Sequence, residues 1–433
     1  MRTARLERMT QDGTTQDTPA EINPGDEIEL EVGDIAHGGI FVARHEGRVV
    51  FVADAVPGEL VRARVTEVRK SFARAVATDV LRASADRQPH VWQEAAIERA
   101  PEERAGGAEL GHIRLARQRE LKAQVLSESM ARFAGHEWQG TVEPLLGDDE
   151  NGGTRWRTRV TLHVDKDGRV GPYAARSHRV IETETLPLAH GDIEELAPLG
   201  ERLAGTGRIE LVAPAELDTR MRTILDGAHG RKPGVVTEVV NGREYKVDED
   251  GFWQVHRLAA ETLSNAVADA LDPALVDPDA VNLDLYGGVG LLAAAFAQEA
   301  GPGAFIETVE SNAAATGHAT ANLAEWRGAS AVTARVDQYL ARLERDATHL
   351  DREGVRRGTV ILDPPRSGAG KDVIDRLAGF GPAQLVYVAC DPVALARDTG
   401  LLLAHGYSLE WMRAYDLFPN THHFETVARF VRV

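Results

Sequence analysis

The 433-residue chain contains a single cysteine, Cys390, so no disulfide can form within it and no cysteine-rich metal site can be built. A lone free cysteine is most often a small buried hydrophobe. Nor is there a run of about 18 apolar residues that could cross a bilayer. The N-terminus, MRTARLERMTQDGTTQDTPAEINPG, lacks the apolar segment of a signal peptide. We therefore expect a cytoplasmic protein with no membrane partner. Basic charge is also in deficit. Forty-nine Lys and Arg against 67 Asp and Glu leave a net charge of −18, which excludes a protein coated in positive surface for wrapping duplex, though not a local basic groove. What is present suffices for large cores: 43% of residues are hydrophobic, and the length fits two to four domains of roughly 100–200 residues.

Residues 1–23 are polar and aperiodic, and we expect a disordered tail. Over 24–82, short alternating β-branched runs are separated by the turn sequences HGG, HEG and VPGE. Five strands in so short a stretch predict a small closed β-barrel of the OB type, a shape that commonly binds oligonucleotides. Residues 83–235 read as a central α+β domain, with a helix at RLARQRELKAQVLSESMARF and strand-like pieces at TRWRTRVTLHVD and GRIELVAP. Arg155, Arg157 and Arg159 alternate around Trp156 as on a strand. They either offer arginines and an aromatic to single-stranded RNA or form one solvated strand face. From 236 to 433, helices alternate with apolar strands, which predicts a doubly wound α/β domain with ligands at the carboxyl ends of its strands.

The chemistry-bearing residues fall at those strand ends. Asp284-Leu-Tyr286-Gly287-Gly288-Val289-Gly290 follows one strand and opens a helix, so its glycines permit close approach of a ligand to backbone. The next strand ends in Glu310, placed to accept hydrogen bonds from a ribose diol, and the two features together point to an adenosine-containing cofactor. A third strand ends in Asp363-Pro-Pro-Arg366, where two prolines restrict the loop that carries the acid and the arginine. A fourth ends at Cys390, which moves the thiol from filler towards nucleophile. In Asp416-Leu-Phe-Pro-Asn-Thr-His422-His423-Phe-Glu425, paired histidines on an extended chain should point to opposite sides, so we expect no metal site. Glu425, beside Phe424 and an apolar strand, reads as a desolvated carboxylate suited to proton abstraction.

In order and separation, DLYGGVG, LDPPRSG, VYVACDP and DLFPNTHHFE resemble the RNA uracil-C5 methyltransferases that use S-adenosylmethionine, and the barrel resembles the TRAM domain that precedes many of them. The resemblance spans about residue 24 to the end. It implies an N-terminal TRAM barrel, a central α+β domain and a C-terminal Rossmann-like methyltransferase domain. It further implies Cys390 as nucleophile towards uracil C6 and Glu425 as base. Gln254, Tyr286, Gly288, Glu310 and Asp363 fall on the cofactor side, and Arg366 and His423 on the substrate side. The implied partner is structured RNA, ribosomal before transfer RNA because a barrel precedes the catalytic domain, and the implied state is a monomer. A transfer-RNA uridine-54 type enzyme and a non-catalytic RNA-binding assembly factor are the alternatives. Departures from the family are informative. AGGAELGH stands where a CGGC-type run holds an iron-sulfur cluster, so no such cluster is expected, and Gly287 replaces a frequent cysteine. Asp391 stands where Asn is usual, and a carboxylate beside the thiol is expected to raise its pKa. His256 and Leu291 also replace common asparagines, and Asn420 a commoner His or Gln.

Overall fold

The computed structural model describes residues 22–175, 177–227 and 231–433. The expected tail lies outside them except for Ile22 and Asn23, and Ile22 is buried in the barrel core.

Strands β1 (Glu27–Ala36), β2 (Ile40–His45), β3 (Arg48–Ala53), β4 (Leu60–Val68) and β5 (Phe72–Arg82) close into a barrel in the order β1-β2-β3-β5-β4. In β1, buried Ile28, Leu30 and Val32 alternate with exposed Glu27, Glu29 and Glu31, so one face fills the lumen and the other meets water. Closure leaves no unpaired edge.

Helix α1 (Leu115–Ser129) ties the barrel to the rest of the chain. Its Leu121 and Val125 enter the barrel core, while Leu126 and the following Met130 pack beneath the eight-stranded C-terminal sheet. Strand β6 (Val142–Glu143) then adds to the edge of that sheet. The central body holds β7 (Arg159–Val164), β8 (Val170–Gly171), α2 (Gly191–Leu196), β9 (Gly207–Val212) and β10 (Arg220–Leu225), with sheet order β10-β9-β7-β8. The alternation read into residues 155–159 is not a strand: Arg155 has φ +61°, Trp156 is fully buried, and β7 starts only at Arg159. Trp156 is therefore unavailable for stacking on RNA; it lies against His256 and Phe418 instead.

A hairpin, β11 (Val235–Val240) and β12 (Arg243–Asp248), leads into the C-terminal α/β unit. This comprises α3 (Ala259–Ala270), β13 (Asn282–Leu285), α4 (Leu291–Ala300), β14 (Ile306–Glu310), α5 (Ala313–Asn322), β15 (Ala329–Thr333) and α6 (Val336–Asp346). It continues with α7 (His349–Arg357), β16 (Thr359–Leu362), α8 (Gly370–Phe380), β17 (Gln384–Ala389), α9 (Pro392–Ala404), β18 (Tyr407–Tyr415) and β19 (Glu425–Arg432). The sheet order is β15-β14-β13-β16-β17-β19-β18-β6. β13 to β17 run parallel, and β19 inserts antiparallel between β17 and β18. Every residue of β16 (TVIL) and β17 (QLVYVA) is buried, as expected of parallel strands covered by helices on both faces. α3 and α4 cover one face, and α8, α9 and α1 the other. Strand order reverses between β13 and β16, which opens a ligand crevice above their carboxyl ends.

Candidate active site

On the β13 side of the crevice the chain turns through left-handed backbone. Tyr286 has φ +65° and donates its N–H to Val309 O at 2.9 Å, and Gly290, φ +88°, caps α4. A side chain at Gly287 would collide with Thr308 Oγ1 and Asp284 Oδ2, so the hydrogen-bonded Thr308–Asp284 pair, 3.0 Å, occupies the room that the family's frequent cysteine would need. At Gly288, φ +53°, a Cβ would meet nothing within 4 Å. That open space is where a cofactor can lie on the backbone.

Three carboxylates lie at the carboxyl ends of β13, β14 and β16 around this turn. Glu310 Oε1 accepts from Asn312 N at 2.7 Å and Ser311 Oγ at 3.0 Å, and its Oε2 has no partner among the described residues. Asp284 is fully buried with Oδ1 unpartnered; burial, opposed by the Thr308 hydrogen bond, pushes it up to about 7. Asp363, whose N–H donates to Leu285 O at 3.2 Å, is pushed up to about 7 by desolvation and by neighbouring Asp284. An open crevice flanked by underpaired acids fits a ligand carrying a sulfonium and an ammonium, as S-adenosylmethionine does. Gln254 lies in the segment between β12 and α3, half-buried, and its amide has no hydrogen-bond partner among the described residues. No hydrogen bond ties it to the crevice.

The nucleophile side is set by register. Ala389 of β17 pairs with Thr426 of β19, so Cys390 and Glu425 are the next positions up the two strands at the sheet rim. Glu425 is 6% exposed and its Oε2 has no partner. Burial, and then the Asp363 charge, raise its pKa well above the usual carboxylate range, with Arg366 opposing. The half-buried Cys390 thiol is pushed up to about 12 by burial, then by Glu425 and Asp363, again against Arg366. Arg366 is exposed and lies 3.3 Å from His423 Nε2. Cys390, Arg366 and His423 line one cavity of about 190 Å³ together with Lys122 of α1 and His37 and Gly39 of the barrel. Of the expected site residues, Cys390, Glu425, Arg366, His423 and Asp363 thus converge, while Tyr286, Gly288 and Glu310 border the adjoining crevice.

Asp391 raises the Cys390 thiol as expected, but weakly, because it is engaged elsewhere. Its Oδ1 caps α9 by accepting from Ala394 N at 2.8 Å, and its Oδ2 takes a 2.7 Å hydrogen bond from His37 Nε2, reaching across from the barrel. Burial works against its charge, but His37 and the helix N–H groups hold its pKa below the usual range, and His37 in turn is raised. The carboxylate is spent on these partners, and its effect on Cys390 is the smallest of the neighbouring charges. The histidine pair departs from expectation. The chain bends at Thr421 and His422 instead of running extended, which brings the two rings to 3.9 Å between centroids. Gly39 of the barrel approaches so closely that a Cβ there would sit 2.7 Å from His422 Cβ.

Three contributors were not legible as site residues. Lys122 Nζ reaches Asp416 Oδ1 at 2.5 Å and Phe418 O at 3.2 Å in a fully buried pair that fixes the start of the 416–425 loop. Asn420, fully buried with φ +66°, exchanges hydrogen bonds with Gln118 and donates to Gly153 O at 2.7 Å. Asp398 Oδ2 accepts from Tyr387 Oη at 2.7 Å and from Ala369 N at 2.7 Å, anchoring the far end of the loop that carries Asp363 and Arg366. Polar Tyr387 and Asp398 within apolar strand and helix patterns were the available signal. Contacts over such sequence separations leave none for Lys122 or His37.

Comparison with known proteins matches residues 22–78 to the TRAM domain and residues 239–432 to the family described as tRNA (Uracil-5-)-methyltransferase. An uncharacterized RNA methyltransferase of Streptomyces avermitilis is 39% identical, with 93% of this chain and 98% of that protein covered. The chain belongs to the RNA uracil-C5 methyltransferase family. At 28% identity, with 93% of this methyltransferase and 95% of the relative covered, it is also similar to the 23S rRNA (uracil(1939)-C(5))-methyltransferase of Shewanella sp. (strain MR-7). Among solved structures, the Pyrococcus abyssi tRNA (uracil-54, C5)-methyltransferase in complex with S-adenosyl-L-homocysteine superposes with TM-score 0.65, 93% of this chain and 100% of that chain covered. At 21% identity this likeness shows the fold. The residues of this methyltransferase fit S-adenosylmethionine, for the reasons of charge and space given above. They do not fit an iron-sulfur cluster, since Ala105 and Ala108 offer no thiolate and are buried in an apolar cluster with Trp92 and Leu186.

Proposed function

We propose that this protein methylates C5 of a uridine in structured RNA, with ribosomal RNA as substrate, acting in the cytoplasm as a monomer without an iron-sulfur cluster. The observation that carries the reading is the placement of Cys390 and Glu425 just beyond the Ala389–Thr426 pair at the rim, near enough for the Glu425 charge to act on the thiol. Uracil C5 is a weak nucleophile, and Cys390 as thiolate remedies this by adding to C6, which moves the C5–C6 electron pair into an enolate over C5, C4 and O4. S-adenosylmethionine, when bound, supplies the electrophilic methyl group that C5 takes. Glu425 then removes the C5 proton, and the returning electron pair expels the thiolate, restoring both the uracil and Cys390. Desolvation makes Glu425 a stronger base once it is ionised, and Arg366 is the side chain whose charge favours the thiolate. The target base has to be unstacked to enter the cavity at Cys390. The ribosomal assignment is supported by the Shewanella relative, which is similar along nearly the whole chain, barrel included.

The test is incubation of purified protein with methyl-labelled S-adenosylmethionine and, separately, 23S ribosomal RNA and transfer RNA that lack 5-methyluridine, followed by digestion to nucleosides. Label in 5-methyluridine of the ribosomal fraction is expected with the wild type and none with Cys390→Ala. Label in another nucleoside, or equal labelling by Cys390→Ala, would contradict the reading.

A further inference from the structure

A second cavity, of about 440 Å³, lies against the central sheet, within the range of small-ligand sites and separate from the cavity at Cys390. Val160, Leu162, Leu188 and Leu211 form apolar walls, and Gly106 and Gly107 border it. Three acids reach it, and each already has an arginine: Glu210 and Asp250 hold Arg222, and Glu249 holds Arg220 at 2.8 Å. Arg159, also in the wall, is paired with Glu238. Arg157 is the exception. Its Nε donates to Arg159 O at 3.0 Å, while its two terminal nitrogens have no hydrogen-bond or ion-pair partner among the described residues. Burial is sufficient to depress its pKa, against the attraction of Glu109.

A guanidinium held in an apolar wall with its terminal N–H groups free calls for a planar ligand with two adjacent acceptors. The three carboxylates of the wall, Glu210, Glu249 and Asp250, repel phosphate, which would also lose its hydration against the leucines. Guanine presents O6 and N7 in the spacing that an arginine fork matches and a flat ring for the leucines to cover. We propose that this cavity receives an unpaired guanine of the substrate RNA, bound by Arg157, while the target uridine enters the cavity at Cys390. This rests on the RNA methyltransferase reading and deepens it: the enzyme selects its site by two unstacked bases instead of one. One short segment connects the two walls: Glu109, two residues beyond Gly107, lies 3.6 Å from His422, which lines the cavity at Cys390.

The test titrates full-length protein with guanosine, cytidine and uridine monophosphates and with inorganic phosphate, by calorimetry, for wild type, Arg157→Gln, Arg157→Lys and Leu188→Trp. Guanosine monophosphate should bind about tenfold or more tightly than cytidine monophosphate, and Arg157→Gln should lose that margin. Lysine should not restore it, Leu188→Trp should block the cavity, and binding should be indifferent to Cys390→Ala. S-adenosylhomocysteine binding by each variant reports that it is folded. Absence of guanosine monophosphate binding, competition by phosphate, or unchanged affinity in Arg157→Gln overturns the proposal. RNA methylation assayed alongside separates the two ideas: methylation without guanine binding sinks this inference alone, and guanine binding without methylation sinks the functional reading alone.

Discussion

The catalytic rim and the central sheet treat charge in opposite ways. At the rim, Asp284, Asp363 and Glu425 are desolvated with few partners, Asp284 Oδ1 and Glu425 Oε2 having none, and their pKa values rise. Around the central sheet and the β11–β12 hairpin, Glu210, Glu238 and Glu249 each hold an arginine, and the group left over is a cation, Arg157. An underpaired acid near neutrality exchanges protons or attracts a cationic ligand; an underpaired arginine attracts acceptors. On the proposed reading, the chain separates chemistry from recognition by which sign it leaves unmatched.

The most severe break in this comparison is Cys390→Ala, for which methyl transfer should fall by at least about 10⁴-fold with S-adenosylmethionine affinity retained, measured by single-turnover labelling. Next is Lys122→Met. The Lys122–Asp416 pair sets a buried cation against a buried acid near the rim, and stranding Asp416 should cost about 3–5 kcal/mol in denaturant unfolding. A smaller effect concerns the cofactor. Asp363 and Asp284 are largely protonated below about pH 7 and attract a cation only when ionised, so binding releases protons. Affinity for S-adenosylmethionine should rise up to about tenfold per pH unit for each proton released as pH approaches 7 from below, then level off. Neutral-sulfur S-adenosylhomocysteine should respond less, and calorimetry in buffers of differing ionisation enthalpy counts the protons. The smallest effect sharpens the contrast within the rim itself. Asp391→Asn keeps a good helix cap and removes the weakest of the charges acting on the thiol, so pH-dependent alkylation of Cys390 should shift less than in Glu425→Gln.

Local pattern carried much of this. The five alternating runs of the barrel and the apolar strands ending in Glu310, Asp363 and Cys390 were readable because period and strand-end chemistry are short-range properties. What escaped reading depends on partners distant in sequence. Asp391 does raise the Cys390 thiol, but its small weight depends on His37, 354 positions away, which takes its second oxygen. The histidine pair was misread because a bend replaces the extended chain assumed for it. Arg155 to Arg159 looked like a strand, either RNA-facing or solvated, because alternation alone does not reveal that Trp156 is buried under His256 and Phe418.

The central claim is that Cys390 adds to the RNA and Glu425 releases it. Glu425→Gln, mixed with 23S ribosomal RNA and S-adenosylmethionine and run under denaturing conditions, should accumulate a covalent protein–RNA adduct carrying the transferred methyl group. The adduct should vanish when Cys390→Ala is added to the same chain. Turnover at the wild-type rate by Glu425→Gln without an adduct, or an adduct that survives loss of Cys390, would contradict the account.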